Sequence, residues 1–307
     1  MSIPRVLVTG ASGFIGRQLV ADLLALGYEV HAVINSRPLP EQASLVQHQV
    51  NLLDEDAVSA FFGNSNIEYE SLFHMAWYVG KKCQQHDLNI DWTIATLNLI
   101  KQFAKHGGKC FVGTGTCTEY DYEYGYLNED FSPTKSSTLY GSTKSSLFTI
   151  LEQYCCLHNI SFKWPRIFNL YGPYEKQSRL MPSVIISCLK GEDVLVSDCL
   201  KYQDYLHVAD ATKGIISFFK SSKSGALNIC SGQPVQLRHI VKLIAELTEF
   251  KGDIRWGAVP AAFDNDVVVG NNRKLRALGW VPEYDLRKGL AKTINWWKEE
   301  LNKTKNT

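Results

Sequence analysis

The chain has 307 residues, enough for one large domain or two smaller ones sharing a core. Its 45% hydrophobic and 21% charged content is ordinary for a globular protein. A formal net charge of +1 leaves no strong basic or acidic field, which excludes nucleic acid and anionic membrane as expected partners. No apolar run approaches the ~18 residues needed to span a bilayer, and the first residues lack the pattern of a secretory signal. The cysteines at 83, 110, 117, 155, 156, 188, 199 and 230 form no C-x-x-C pair and do not recur with His at ligand spacing. They predict scattered reduced thiols, no metal and a cytoplasmic setting.

Residues 5–9 (RVLVT) are a short β-branched run ending at a glycine, which predicts the first strand. Residues 13–26 carry Ile15, Leu19, Leu23 and Leu26 at helical spacing. A strand is expected at 29–34 (EVHAVI), a short helix at 57–62, a strand at 71–76 (SLFHMA), a helix at 91–105 and a strand at 110–113 (CFVG). A helix at 139–158 and a strand at 161–165 follow. This alternation predicts an α/β fold with a doubly wound parallel sheet. Near-continuous apolar strands such as RVLVT and LFHMA fit burial on both faces. After about residue 170 turn residues become denser. Helical spacing returns at 183–190, 209–219, 238–248 and 286–301, and the final NKTKNT is expected to fray. The predicted division is a dinucleotide-binding domain at 1–169 and a smaller, mainly substrate-binding α/β region at 170–307. Segments around 204–232 are expected to return to the first domain.

The first turn reads Thr9-Gly10-Ala11-Ser12-Gly13-Phe14-Ile15-Gly16 between a strand and a helix. Glycines there allow a tight turn and close approach of the backbone to a pyrophosphate, and the amides of the helix N-terminus face the anion. After the second strand comes Ile34-Asn35-Ser36-Arg37, with no carboxylate between Glu29 and Glu41. An acidic residue there would accept from the ribose 2′-hydroxyl of NAD, and a basic one would grip the 2′-phosphate of NADP. The segment therefore favours NADP(H), with NAD(H) as the alternative. Asn35, Ser36 and Arg37 are then placed around the 2′-phosphate, unless Arg37 is a solvated loop charge.

Tyr140-Gly141-Ser142-Thr143-Lys144 is a Y-x-x-x-K pattern, which puts both side chains on one helix face. Lys144 is thereby placed to lower the tyrosine's pKa from about 10 toward neutrality, making a proton donor or acceptor for a carbinol oxygen. A solvated helix pair is the ordinary reading of such spacing. The preceding strand and its hydroxyl-rich end (KCFVGTGTCTEY), with Thr116 24 residues before Tyr140, favour the catalytic one.

The spacing G-x-x-G-x-x-G, with LFHMAW, GTGTC, YGSTK, RIFNLYGP, DYLHVAD, NICSG and LGWVP in that order, resembles the extended short-chain dehydrogenases over nearly the whole chain. That family holds the epimerases, dehydratases and ketoreductases of sugar nucleotides, on a Rossmann-like fold. The resemblance implies that Tyr140 is the acid/base and that Thr116 bonds the sugar's reacting oxygen. Lys144 would orient the cofactor ribose. Besides the glycine turn (Gly10, Ser12, Gly13, Phe14, Ile15, Gly16), it places Asn51 and Leu52 at the adenine and Met75, Ala76 and Trp77 along the pyrophosphate and nicotinamide ribose. Phe168 falls near the nicotinamide. Substrate contacts fall to Tyr78, Thr116, Cys117, Thr118, Asn169, Arg179, Leu180 and Gln203. Trp77 and Tyr78 could equally be packing. A homodimer through helices 91–105 and 139–158 is also implied.

Dehydratases of this family follow the threonine with Asp and Glu, where this chain has Cys117 and Thr118. Dehydration is thus disfavoured. Cys117 is suggestive of carbon epimerisation, but the stretch 178–182 lacks the companion His. Strand alternation should turn Cys117 away from the side of Thr116, into a buried role. The expected activity is NADPH-dependent reduction of a nucleotide-linked 4-keto-6-deoxysugar, with an NAD-dependent 4-epimerase as the alternative. A catalytically inactive dinucleotide sensor is the reading from another class. Gln203 stands where the family often has an arginine on the diphosphate, so another cation (Arg179, Lys201 or Arg238) would have to serve.

Overall fold

Residues 3–64, 67–261 and 265–305 are described by the computed structural model. The strands are β1 (Arg5–Thr9), β2 (Glu29–Ile34), β3 (Leu45–Gln49), β4 (Ser71–His74), β5 (Cys110–Val112), β6 (Gly115–Thr116), β7 (Tyr126–Leu127), β8 (Ser161–Ile167), β9 (Asn169–Tyr171), β10 (Val194–Leu195), β11 (Tyr202–His207), β12 (Gly225–Ile229), β13 (Pro234–Gln236), β14 (Ile254–Arg255) and β15 (Val267–Gly270). The helices are α1 (Phe14–Ala25), α2 (Glu55–Gly63), α3 (Leu88–Lys105), α4 (Leu139–Leu157), α5 (Leu180–Lys190), α6 (Val208–Lys220), α7 (Leu237–Leu247), α8 (Arg273–Arg276) and α9 (Leu286–Lys305).

The main sheet runs β12-β8-β5-β4-β1-β2-β3, all parallel, with β6 added beside β8. Chain order runs outward from β1 in one direction and from β4 in the other. The crevice at the carboxyl ends of β1 and β4 is therefore the switch point where a doubly wound sheet takes its ligand. Side-chain alternation along β1 divides the interior. Val6 and Val8 pack with Leu19 and Leu23 of α1 and Ile215 of α6. Leu7 faces Leu99 and Phe103 of α3 and Leu147 and Leu151 of α4.

A second sheet, β13-β11-β15-β7 with β9 beside β11, carries the C-terminal region. Its own core joins Val184 and Ile185 of α5, Ile240 and Ile244 of α7, and Leu290, Ile294 and Trp297 of α9. β12 pairs with β8 and so extends the main sheet, although it follows β11 in the chain.

The structure differs from the sequence expectations at several elements, among them the individual strands after residue 170, where only a smaller α/β region was expected. Helix α5 begins at Leu180, ahead of Pro182, because proline is tolerated in a first turn where its missing N–H has no intrahelical partner. Helix α9 runs to Lys305, so most of the segment expected to fray is helical, and residues 306–307 lie outside those described. The strand predicted at 71–76 stops at His74. Strand β3 has no counterpart among the predicted elements.

Burial lowers the pKa of three histidines. His74 is pushed down to about 3 and His207 to about 4, and His48 is lowered as well. Desolvation is the first cause in each case, and Lys144 adds to it at His74. A depressed histidine contributes stability that is complete above the unfolded value near 6.5 and is lost as pH falls toward the folded value. The stability advantage of wild type over His74→Gln in urea unfolding should therefore shrink between pH 7 and 5, by at most about 1.4 kcal/mol per unit below 6.5. A difference independent of pH would contradict this.

Candidate active site

Gly10 adopts φ +63°, and a Cβ there would lie 2.6 Å from Ala76 N. Its backbone O accepts from Gly13 N at 2.9 Å, closing the turn. Gly13 caps α1 without a side chain, so the first amides of the helix have no side-chain acceptor. The cradle is open on this side and suits a dinucleotide pyrophosphate. Ser12, Phe14 and Ile15 are partly buried around it, and Ser12 O accepts from Arg17 Nε at 2.8 Å.

His74 fixes the strand opposite. The Thr96 hydroxyl donates to Trp92 O at 2.7 Å, so Thr96 Oγ1 accepts from His74 Nε2 at 3.0 Å, and that nitrogen carries the ring's proton. Nδ1 then accepts from the Thr9 hydroxyl at 2.8 Å, and Thr9 Oγ1 accepts from Ala76 N at 3.4 Å. This chain ties α3, β4 and β1 together beside the glycine turn. The Thr114 hydroxyl donates to His74 O at 2.5 Å and reaches Met75 Sδ at 3.5 Å. Asn35, Ser36 and Arg37 are exposed at the end of β2. Glu29, at its other end, is taken by Arg5 and His31 at 3.0 and 2.8 Å. Leu52 is buried and Asn51 exposed after β3.

Thr116 ends β6 and caps a short turn, Cys117–Glu119. Its Oγ1 accepts from Thr118 N and donates to Thr118 Oγ1, both at 3.2 Å. Glu119 Oε1 accepts from Thr116 N at 2.8 Å and from Trp164 Nε1 at 3.0 Å. Glu119 Oε2 accepts from Arg166 Nε at 2.8 Å, and both residues are buried. Arg166 Nη1 also donates to Tyr120 OH at 3.1 Å, whose own proton goes to Asn228 Oδ1 at 2.8 Å. Sequence reasoning did not single out Glu119, although Thr-x-x-Glu at 116–119 is the signature of a capping box. Its ion-pair partner, Arg166, is distant in the chain and carries no local signal.

Helix α4 brings Tyr140 and Lys144 to this turn. Thr138 caps it, accepting from Gly141 N at 3.1 Å. A Cβ on Gly141 would sit 2.3 Å from Thr118 O, so a glycine there lets the helix approach. The Thr116 hydroxyl favours the ionised form of the Tyr140 phenol, but less than burial opposes it. Burial pushes Tyr140 above its ordinary value of 10, the reverse of the expectation from the lysine spacing. Desolvation outweighs any pull from Lys144, which is itself pushed down to about 7 by the same burial. The phenol keeps its proton and is set up as a donor.

Cys117 is not on a strand, so alternation does not decide its direction. It is buried all the same, with its thiol pushed up to about 11. Tyr122 OH lies 3.3 Å from both Cys117 Sγ and Thr118 Oγ1. Phe168 is buried with Cys117 and Cys230. Asn169 Nδ2 donates to Gln203 Oε1 at 3.2 Å and to Asp204 O at 3.3 Å. The Asn169 amide, expected to contact the substrate, is thus turned inward, while the buried Gln203 Nε2 has no hydrogen-bond partner among the described residues. The Tyr78 ring packs tilted against His86 at 4.5 Å, and its hydroxyl donates to Lys81 O at 3.1 Å. Arg179 is exposed at the N-cap of α5. Beyond Leu180 a cavity of about 210 Å³ opens among Ser183, Val184, Val196, Tyr205 and Leu237.

The model of the NAD dependent epimerase/dehydratase family matches residues 6–230. The chain is 27% identical to a dTDP-glucose 4,6-dehydratase of Streptomyces griseus, covering 95% of this chain and 93% of that protein. It is 26% identical to a CDP-abequose synthase of Salmonella typhimurium, over 94% and 97%. Among solved structures, the UDP-glucose 4-epimerase of Thermotoga maritima with UDP-glucose superposes with a TM-score of 0.86 at 23% identity, over 97% and 99%.

Removing one member of the Glu119–Arg166 pair leaves the other charge buried and uncompensated, a cost of about 3–5 kcal/mol. Glu119→Gln should therefore destabilise the chain by about that much in urea unfolding. The double variant with Arg166→Met should lose less than the sum of the single losses. Additive losses would show the two groups to be uncoupled.

Proposed function

We infer that this chain, which belongs to the NAD-dependent epimerase/dehydratase family, is a reductase that uses NADPH to convert the 4-keto group of a nucleotide-linked 4-keto-6-deoxysugar to an alcohol. The observation that carries this reading is the makeup of the turn after Thr116. Cys117 and Thr118 supply no carboxylic acid there, and Glu119, the one carboxylate of that turn, is bound to Arg166. Eliminating water from a sugar needs an acid at the leaving hydroxyl and a base at carbon. Reducing a ketone needs one proton at the oxygen, and a tyrosine that retains its proton is suited to give it.

The bound cofactor supplies the hydride. Gly10, Gly13, Gly16 and the α1 amides hold its pyrophosphate, and Lys144 its ribose. Asn35, Ser36 and Arg37 take the 2′-phosphate. Thr116 and Tyr140 bond the keto oxygen, and Tyr140 transfers its proton to that oxygen as the carbon is reduced. Arg179, Leu180 and the cavity beyond them hold the nucleotide, and Gln203 offers its unpaired amide hydrogens in place of a cation. The reading places the enzyme in the cytoplasm as a homodimer joined through α3 and α4, where Ile90, Ile94 and Ile150 are exposed. A tightly held NAD and 4-epimerisation is the second reading, favoured by the UDP-glucose 4-epimerases among the relatives.

Purified chain mixed with NADPH and dTDP-, CDP- or GDP-4-keto-6-deoxysugars should consume the reduced nicotinamide absorbance. Tyr140→Phe should lose about 10²–10⁴-fold in turnover with its cofactor affinity kept. UDP-glucose to UDP-galactose conversion with no net NADPH loss would point to the epimerase. Arg37→Ala should weaken NADPH binding about tenfold, the loss of one charge-assisted phosphate contact, and leave NADH unchanged. Equal losses for both cofactors in fluorescence titration would remove Arg37 from the 2′-phosphate.

A further inference from the structure

Lys144 is 1% exposed, and its ammonium has lost nearly all contact with water. Its Nζ lies 3.5 Å from the ring centroid of Trp77, while the next indole, Trp164, is at 6.0 Å. Trp77 is held in this pose from its far edge. The indole Nε1 donates to Asn89 Oδ1 at 2.9 Å, and Asn89 is itself buried. Asn89 Nδ2 donates in turn to Cys83 O and His86 O at 2.7 and 2.8 Å. The Trp77 ring also stands edge-on to Tyr140 at 6.4 Å and packs on Trp92 at 6.2 Å. One side chain, fixed through Asn89 and its two further hydrogen bonds, thus touches both members of the Y-x-x-x-K pair.

We propose that the indole face of Trp77 is the seat of the Lys144 ammonium and that Trp77 is a positioning residue for the catalytic lysine. A cation over an aromatic face is drawn to the negative side of the ring quadrupole, most strongly where water is excluded. The other groups around Lys144 do little to replace that attraction. Glu119, from the turn after Thr116, favours the charge, but it is already bonded to Arg166 of β8. His74, from β4, is neutral, and Tyr140 on the same helix keeps its proton. Burial has already lowered Lys144 to about 7, so a modest change in its surroundings moves the fraction charged at neutral pH. Where Tyr78 reaches Lys81 and His86, Trp77 reaches the catalytic pair itself. The inference rests on the reading of Lys144 as the residue that meets the cofactor ribose.

The test is an NMR titration of the intact chain carrying lysine labelled with ¹³C at Cε, with the Lys144 signal assigned by Lys144→Arg. Trp77→Leu should lower the Lys144 midpoint by about one pH unit, and Trp77→Phe, which keeps a face, by a few tenths. Protein grown with mono- and difluorotryptophan keeps the native shape and weakens the ring's negative face in steps. Its Lys144 midpoint should fall in the same steps. Midpoints that stay with wild type in the fluorinated proteins would overturn the proposal, whatever the effect on melting temperature. The titration uses no cofactor and no substrate. A shifted midpoint in a chain that binds neither NADPH nor NADH would keep the lysine's seat and remove the functional reading.

Discussion

The cleft depends on one buried ion pair. Glu119 and Arg166 lie out of water, and such a pair is tolerated only where hydrogen bonds satisfy its remaining lone pairs and protons. Here they do. Glu119 takes the Thr116 amide and the Trp164 indole, and Arg166 reaches Tyr120 and, through it, Asn228 of β12. Three parallel elements are thereby fastened at their carboxyl ends: the turn after β6, β8 and β12. The same pair sets the direction of Thr116, and α4 comes in against Thr118 through Gly141. It has a chemical consequence too. Glu119, the carboxylate of the turn after Thr116, is committed to structure, and in the proposed reading the proton chemistry falls to Thr116 and Tyr140.

Desolvation shapes the rest. It pushes the Tyr140 phenol up and the Lys144 ammonium down, so both groups lean toward their neutral forms. A neutral phenol donates, and a lysine so placed needs an electron-rich neighbour to stay charged, which Trp77 provides. The cofactor cradle is built from the opposite material: glycine backbone and bare helix amides, with His74 locking the strand behind them.

Much of this was legible in the residues. RVLVT, the helix after it and EVHAVI appear within a residue or two of their predicted ends, because buried parallel strands and an amphipathic helix write strong periodic signals. Strand β3 escaped because LVQHQ sits at the sheet edge, half-buried and polar, and shows no apolar run. In the site, the glycine turn, Thr116, Tyr140 and Lys144 could be found from motif and spacing, since each belongs to a local pattern. The Thr-x-x-Glu capping box at 116–119 was equally local. What it orients was not, because Arg166, like Trp77 for Lys144, reaches its partner only through the sheet. Spacing also misjudged the tyrosine: it registers the lysine four residues on but not the burial that outweighs it.

In the proposed reading, C4 of a sugar receives a hydride and its oxygen a proton in this cleft, once per turnover. The direct measurement is NMR of the product formed from a nucleotide-linked 4-keto-6-deoxysugar and NADPH carrying deuterium at the transferring position. One deuterium at C4 is expected for each NADPH consumed. A product inverted at C4, free of deuterium and formed without loss of NADPH, would contradict it.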